Sequence, residues 1–245
     1  MNKLAVLAFA LLLFFSTMLW YLANGSLNEY LSSQVQLQGH YYSGQQTELT
    51  SAEYASNTGV AQFKQLKLAN LQDHHSKYVL IIDNAFVEVL PEQSSLVTQI
   101  NQVSIDNLTI NIERKSGNES NVEQLIKTIS LKLAHDYPKH YPAISAKIYA
   151  ANNPSLNADE YAKKHPQTMP VIKDNKPKKT RGKPQQKIAI SAITIKTVTL
   201  NTIKLDGIDT VQLHDIKISI PNLNEGYVSN QLGGELLLTF LSLAG

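Results

Sequence analysis

No cysteine occurs among the 245 residues. Disulfides, thiolate nucleophiles and cysteine-bound metals are excluded at once, and the chain suits either a reducing or an oxidising compartment. Net charge is nearly absent too, at +2 by formal count, so the chain as a whole projects no strong field towards a polyanion. The motifs of the common catalytic sites are missing: no G-x-S-x-G elbow, no glycine-rich phosphate loop, no H-E-x-x-H and no Walker sequence. Histidines gather only at His74-His75 and at His135 and His140. Adjacent histidines on a strand point to opposite faces, and the second pair lies in a proline-broken stretch, so both read as solvated side chains rather than metal ligands. The expectation is a protein that is not an enzyme and carries no cofactor or metal. Apolar residues, by contrast, make up 43% of the chain, enough to bury a core.

Charge is also missing from one long run, Leu4 to Ala23, LAVLAFALLLFFSTMLWYLA. Its length spans a bilayer as a helix. Lys3 precedes it and Trp20 and Tyr21 lie near its far end, which places the N-terminus in the cytoplasm and the aromatics at the opposite interface. Residues 1–24 are therefore expected to be a single transmembrane anchor, with the bulk of the chain exported. A cleaved signal peptide ending near Ala23-Asn24-Gly25 is the rival reading; the length of the apolar run favours the anchor.

Glycine and proline are absent from Lys187 to Leu205, KIAISAITIKTVTLNTIKL. Its apolar residues come in pairs two apart: Ile188 and Ile190, Ile193 and Ile195, Val198 and Leu200, Ile203 and Leu205. Within a pair the spacing is that of a strand, but each step to the next pair throws the phase off by one. The same slip occurs in Val103, Ile105, Leu108, Ile110 and in Val211, Leu213, Ile216, Ile218, with Asp106-Asn107 and His214-Asp215 at the slip positions. A helix sets residues two apart about 200° from one another and fails worse. The pattern predicts β-structure with a bulge at each slip, giving a strongly twisted sheet with one apolar face. Polar residues at the slips suit unusual backbone angles, which also accounts for Asp106 and Asp215 without a catalytic carboxylate pair. Short strands joined by turns are the plainer alternative.

Two helices are expected. Ser120 to Glu123 has the form of a capping box, followed by Val122, Leu125, Ile126 and Ile129, which predicts a helix near 121–131. A second runs to the C-terminus from Ser229, with Leu232, Leu236, Phe240 and Leu243 in a stripe that Gly233 and Gly234 weaken. Ser26 to Ala55 shows few clear elements beyond a short strand at Val35 and Leu37. The chain thus divides into the anchor, a first β region over 25–135, a linker over 136–186 and a second β region with the C-terminal helix over 187–245. Lys163 to Lys187 carries nine basic residues against one acid. It is expected to be a disordered loop, with Lys176, Lys178, Lys179, Arg181 and Lys183 as candidates for contact with anionic headgroups. A solvated spacer is its plainer reading. Nucleic acid is not expected as a partner, because the anchor places this segment outside the cytoplasm.

The anchor, GVAQFKQLKLANL, the run from YVLIIDNAFVEVL through VSIDNLTINI to SNVEQLIKTI, and VQLHDIKISIPNLNEGYVSNQLGGELL together resemble the small single-anchor members of the bacterial AsmA-like family, relatives of TamB. The likeness covers most of the chain from Thr58, without the basic insert. It implies a single-pass inner-membrane protein whose bulk lies in the periplasm, mainly β with a few helices, its bulged antiparallel sheet folded into a groove. It also implies a part in envelope lipid handling or outer-membrane maintenance, with no catalytic residues to carry over. On that reading the groove candidates are Val103, Ile105, Leu108 and Ile110 in the first β region, and Ile188, Ile190, Ile193, Ile195, Val198, Leu200, Ile216 and Ile218 in the second. Expected partners are the inner membrane, phospholipid acyl chains and other envelope proteins. The alternative is a periplasmic scaffold or assembly factor whose apolar face is a closed core and whose basic segment binds a partner. With eight to ten strands about 4.8 Å apart the sheet is expected to be roughly 40 to 50 Å across.

Overall fold

A computed structural model describes residues 27–90, 97–115, 119–145, 147, 187–204, 206–220 and 225–245. Helix α1 covers residues 27–43. Strands β1 (Thr47–Glu48), β2 (Ser51–Ala55), β3 (Val60–Ala69), β4 (Tyr78–Val89) and β5 (Val97–Glu113) follow, then α2 (Asn121–Asp136), β6 (Lys187–Lys204), β7 (Gly207–Ile218), β8 (Tyr227–Val228) and α3 (Ser229–Leu241). All eight strands belong to one sheet, in the order β1-β3-β4-β5-β6-β7, with β2 also on β3 and β8 also on β6. The two β regions of the sequence are therefore halves of a single sheet. Six strand positions at ~4.8 Å make it roughly 24 Å across, about half the width expected from the strand count. The shortfall arises because short strands share an edge with a longer one.

The expectation of an antiparallel sheet needs correction at its centre. β5 and β6 pair in parallel, from Val97 opposite Lys187 to Glu113 opposite Ile203. A parallel pair needs a crossover rather than a hairpin, and α2 lies within that connection. The remaining neighbours are antiparallel, so the sheet is mixed.

The slips in the sequence line up across the sheet. Leu66 opposes Ile82 and Lys64 opposes Asn84; Ile82 opposes Leu108 and Ala85 opposes Ile105. On the other side, Ile105 and Leu108 face Ile195 and Val198, which face Ile216 and Leu213. Pairing offsets are the same before and after the slip. A bulge would set two residues against one; here five long strands instead change phase together, so facing residues stay on one face. Gln65 and Asp215 take the change with positive φ, 53° at each, a conformation rare outside glycine and short polar residues. Register shifts proper occur elsewhere, at Leu68/Ala69 and Glu88/Val89.

Both expected helices form, and the first extends beyond its expected end to Asp136. Ser120 caps it: its hydroxyl accepts from the Glu123 backbone N–H at 3.2 Å, and its own N–H donates to Glu123 Oε2 at 2.6 Å. Val35 and Leu37, expected in a strand, lie in α1. Leu27, Leu31 and Val35 recur at a helical spacing of four, which the polar residues between them obscured. Gly233 and Gly234 sit where α3 meets the other helices. A Cβ on Gly234 would lie 2.8 Å from Leu133 and 2.9 Å from Tyr42, and one on Gly233 would run into the Gln38 side chain. Their missing side chains permit the close approach of three helices.

Candidate functional site

The twelve groove candidates fall into two groups. Val103, Ile105, Leu108, Ile110, Ile190, Ile193, Ile195 and Val198 are buried, and Leu108, Ile110, Ile195 and Val198 have no exposed surface at all. They form one core with Val122, Leu125, Ile129 and Leu133 of α2, Leu232, Leu237, Phe240 and Leu241 of α3, and Tyr42 of α1. The helices roof the apolar face over β4 to β6, so these eight residues pack the interior and line no open groove. Ile188, Leu200, Ile216 and Ile218 are half-buried at its margin.

The roof stops short of β7. Leu213 faces Val198 and Val211 faces Leu200, and residues opposed in an antiparallel ladder share a face. Val211 and Leu213 are thus a continuation of the core face, yet 55% and 38% of their surface is exposed. Ile216 and Ile218 extend the same strip past the phase change. Ile208, at 63%, is the most exposed of the large aliphatic residues on the strand. β7 pairs only with β6, so among the described residues its outer edge carries no ladder. An uncovered apolar strip along an open strand edge is the feature of this surface that invites an occupant. Val211 and Leu213 belonged to a repeat legible in the sequence, but nothing local distinguishes them from their more deeply placed equivalents, half-buried Leu200 and buried Val198.

Beside the strip a cavity of ≈510 Å³ opens between the end of β7 and α3, lined by Ile218, Ile220, Leu238 and Leu243 with Lys217, Tyr141 and Glu235. The Tyr141 hydroxyl donates to Glu235 Oε1. Burial, then this bond and the carboxylate's charge, push that hydroxyl far above the ordinary tyrosine range, so it remains a donor. Gln231, wholly buried, spends its amide N–H groups on Glu235 at 2.9 Å and on His140 Nδ1 at 2.7 Å. Tyr227 is pushed up to about 12, chiefly by burial and then by the Glu235 charge. These contacts fasten α3 to the segment after α2, and they leave the Glu235 carboxylate committed to protein partners.

His74 and His75 lie in a loop that is likewise tied down. The His75 backbone N–H donates to Glu113 Oε2 and that of Ser76 to Oε1, both at 2.7 Å, and the Ser76 hydroxyl donates to Oε1 as well. Asn70 adds a bond at 3.2 Å. His74 Nδ1 lies 3.2 Å from the Leu71 carbonyl. Asn121 Nδ2 donates to Asn70 Oδ1 and to the Asn111 carbonyl, and its Oδ1 accepts from the Glu113 N–H, each at 2.9 Å. The loop after β3, the end of β5 and the start of α2 are thereby tied at one buried point. Asp106 and Asp215 stand at the phase change on β5 and β7 with β6 between them, roughly 10 Å apart by strand spacing. Among the described residues no group of three or more His, Asp or Glu is placed to hold a metal.

The expected anchor, residues 1–24, lies outside the described residues, as do Lys176, Lys178, Lys179, Arg181 and Lys183. Among those described, no helix is long and apolar enough to cross a membrane. No family model, curated protein or solved structure matches the chain. The structure defines a mainly β protein with a single mixed sheet roofed on one face by helices.

Proposed function

We propose that this is a non-enzymatic, membrane-anchored envelope protein that handles lipid at the uncovered strip along β7 rather than along a groove the length of the sheet. The observation that carries the reading is the continuation of the core face, through Val211 and Leu213, onto a strand that the helices leave bare. An acyl chain laid there replaces water against apolar side chains, at about 25 cal/mol per Å² removed from water. The neighbouring cavity, lined largely by Ile218, Ile220, Leu238 and Leu243, extends the apolar surface open to such a molecule. The apolar run at residues 4–23 keeps the strip close to a source of lipid, and the resemblance to the AsmA-like family agrees with this use.

A photocrosslinker placed at Val211 in the full chain in cells is expected to give lipid adducts. One placed at Ile193, 1% exposed, is expected to give none. A folded protein without adducts at Val211 would count against lipid handling. The sealed face over β4 to β6 favours a second reading, an assembly factor that uses the strip and the basic segment to hold proteins. Protein adducts at Val211 in place of lipid would support it.

A further inference from the structure

We propose that β7 pairs antiparallel with β7 of a second copy of this chain, with His214 opposite Asp215 and Asp215 opposite His214 about a two-fold axis. The strand is complementary to itself in one register. Reading outwards from the His214/Asp215 junction, Leu213 meets Ile216, Gln212 meets Lys217 and Val211 meets Ile218. Apolar residues oppose apolar residues on the core face. Polar ones oppose polar ones on the other face, and no charge meets its like.

The phase change selects this partner. Every neighbouring pair of long strands in the sheet aligns slip with slip, as Ile195 and Val198 do with Ile216 and Leu213. Any strand added to β7 must therefore shift phase opposite residues 214 and 215, or half of its apolar side chains turn to the wrong face. An ordinary alternating strand fails that requirement, whereas a second β7 meets it through its own Asp215, at φ 53°. The edge is otherwise weakly protected. β7 runs twelve residues without proline, and Lys217 is its one lysine. An imidazole N–H facing a carboxylate at 214 and 215 holds the register, in the manner of polar cross-strand pairs elsewhere. Pairing also sets the two exposed strips side by side, so that Val211, Leu213, Ile216 and Ile218 of both copies form one apolar trough between the two helical roofs. The pairing stands on the strand alone and does not depend on lipid.

The natural lack of cysteine makes the test direct. In the full-length chain, held in membranes or solubilised in detergent, the double variant Gln212→Cys/Lys217→Cys is expected to form a covalent dimer on mild oxidation. Within one chain the two positions are roughly 16 Å apart along the strand, too far for a disulfide, which needs Cα atoms within about 7 Å. Each single variant is expected to stay uncrosslinked, because each position faces the other and not itself. The wild-type chain is expected to show a dimeric mass by light scattering after the detergent contribution is subtracted. Leu213→Lys should weaken that dimer roughly tenfold or more while leaving the circular dichroism unchanged. A monomeric wild-type mass at tens of micromolar overturns the proposal, whether the strip is then covered by residues 148–186, by lipid or by another protein. Single variants that crosslink as well as the double overturn the register. Loss of lipid adducts at Val211 with the dimer intact would count against lipid handling alone.

Discussion

Gln65 Nε2 donates to Asp83 Oδ1 at 2.9 Å across the line where β3 and β4 change phase together. The bond spans neighbouring strands at the place where both give up strict alternation, and it joins one residue held at positive φ to a neighbour whose side chain satisfies it. At the far end of the same line Asp215 holds the same φ on β7, with no such bond to any of the described residues.

Asp215→Gly is expected to be neutral within about 0.5 kcal/mol, since glycine adopts positive φ freely. Asp215→Val should cost about 1–2 kcal/mol, because a β-branched side chain clashes with the carbonyl in that conformation. Urea denaturation of the two variants measures the difference, and equal costs would show that the phase change does not depend on this backbone angle.

Gly233 and Gly234 are adjacent on α3 and should respond oppositely to alanine. At Gly234 the new methyl meets Leu133 and Tyr42 inside the helix junction, and overpacking costs about 1–3 kcal/mol. At Gly233 the main obstacle is the end of the Gln38 side chain, which rotates away, and the Gln38 Cβ at 3.1 Å need yield only a few tenths of an ångström. There the gain in helix propensity, about 1 kcal/mol, should dominate. Melting temperatures that move the same way for both would contradict this account of the junction.

The start of α2 separates capping from anchoring. Ser120→Ala removes a cap and should cost about 1 kcal/mol. Asn121→Ala should cost about 3 kcal/mol, because it takes the Asn121 partner from the Glu113 N–H and the Asn111 carbonyl in a buried site and leaves Asn70 Oδ1 with the Leu71 N–H alone. Chemical denaturation should rank the two variants in that order.

Glu113 makes stability depend on pH in a defined direction. Burial alone raises its carboxyl, but the hydrogen bonds from Ser76 and His75 outweigh burial and hold it below the ordinary 4.5. With the folded value depressed, its contribution is fully present above about pH 4.5 and is lost as pH falls through the folded value. Glu113→Gln should therefore cost about 2–3 kcal/mol at neutral pH, and its gap from wild type should narrow below pH 4.5. A gap constant across that range would mean that the site binds the protonated and ionised forms alike.

The sequence by itself determined the β regions, the phase slips at Asp106-Asn107 and His214-Asp215, the capped helix from Ser120 and the helix at the C-terminus. Each is written in local spacing: alternation of two, helical recurrence, and polar residues where the phase breaks. Only the tertiary structure decided which part of the apolar face is sealed. Leu213 and Val198 follow the same local pattern and face one another, yet one is 38% exposed and the other fully buried. The difference lies in where α2 and α3 come to rest and in β7 taking the edge position, both set by contacts between residues far apart in the chain. The parallel pairing of β5 with β6 was hidden for the same reason. Alternation records which way a side chain points, whereas the identity and direction of the neighbouring strand depend on the path of the connection between them.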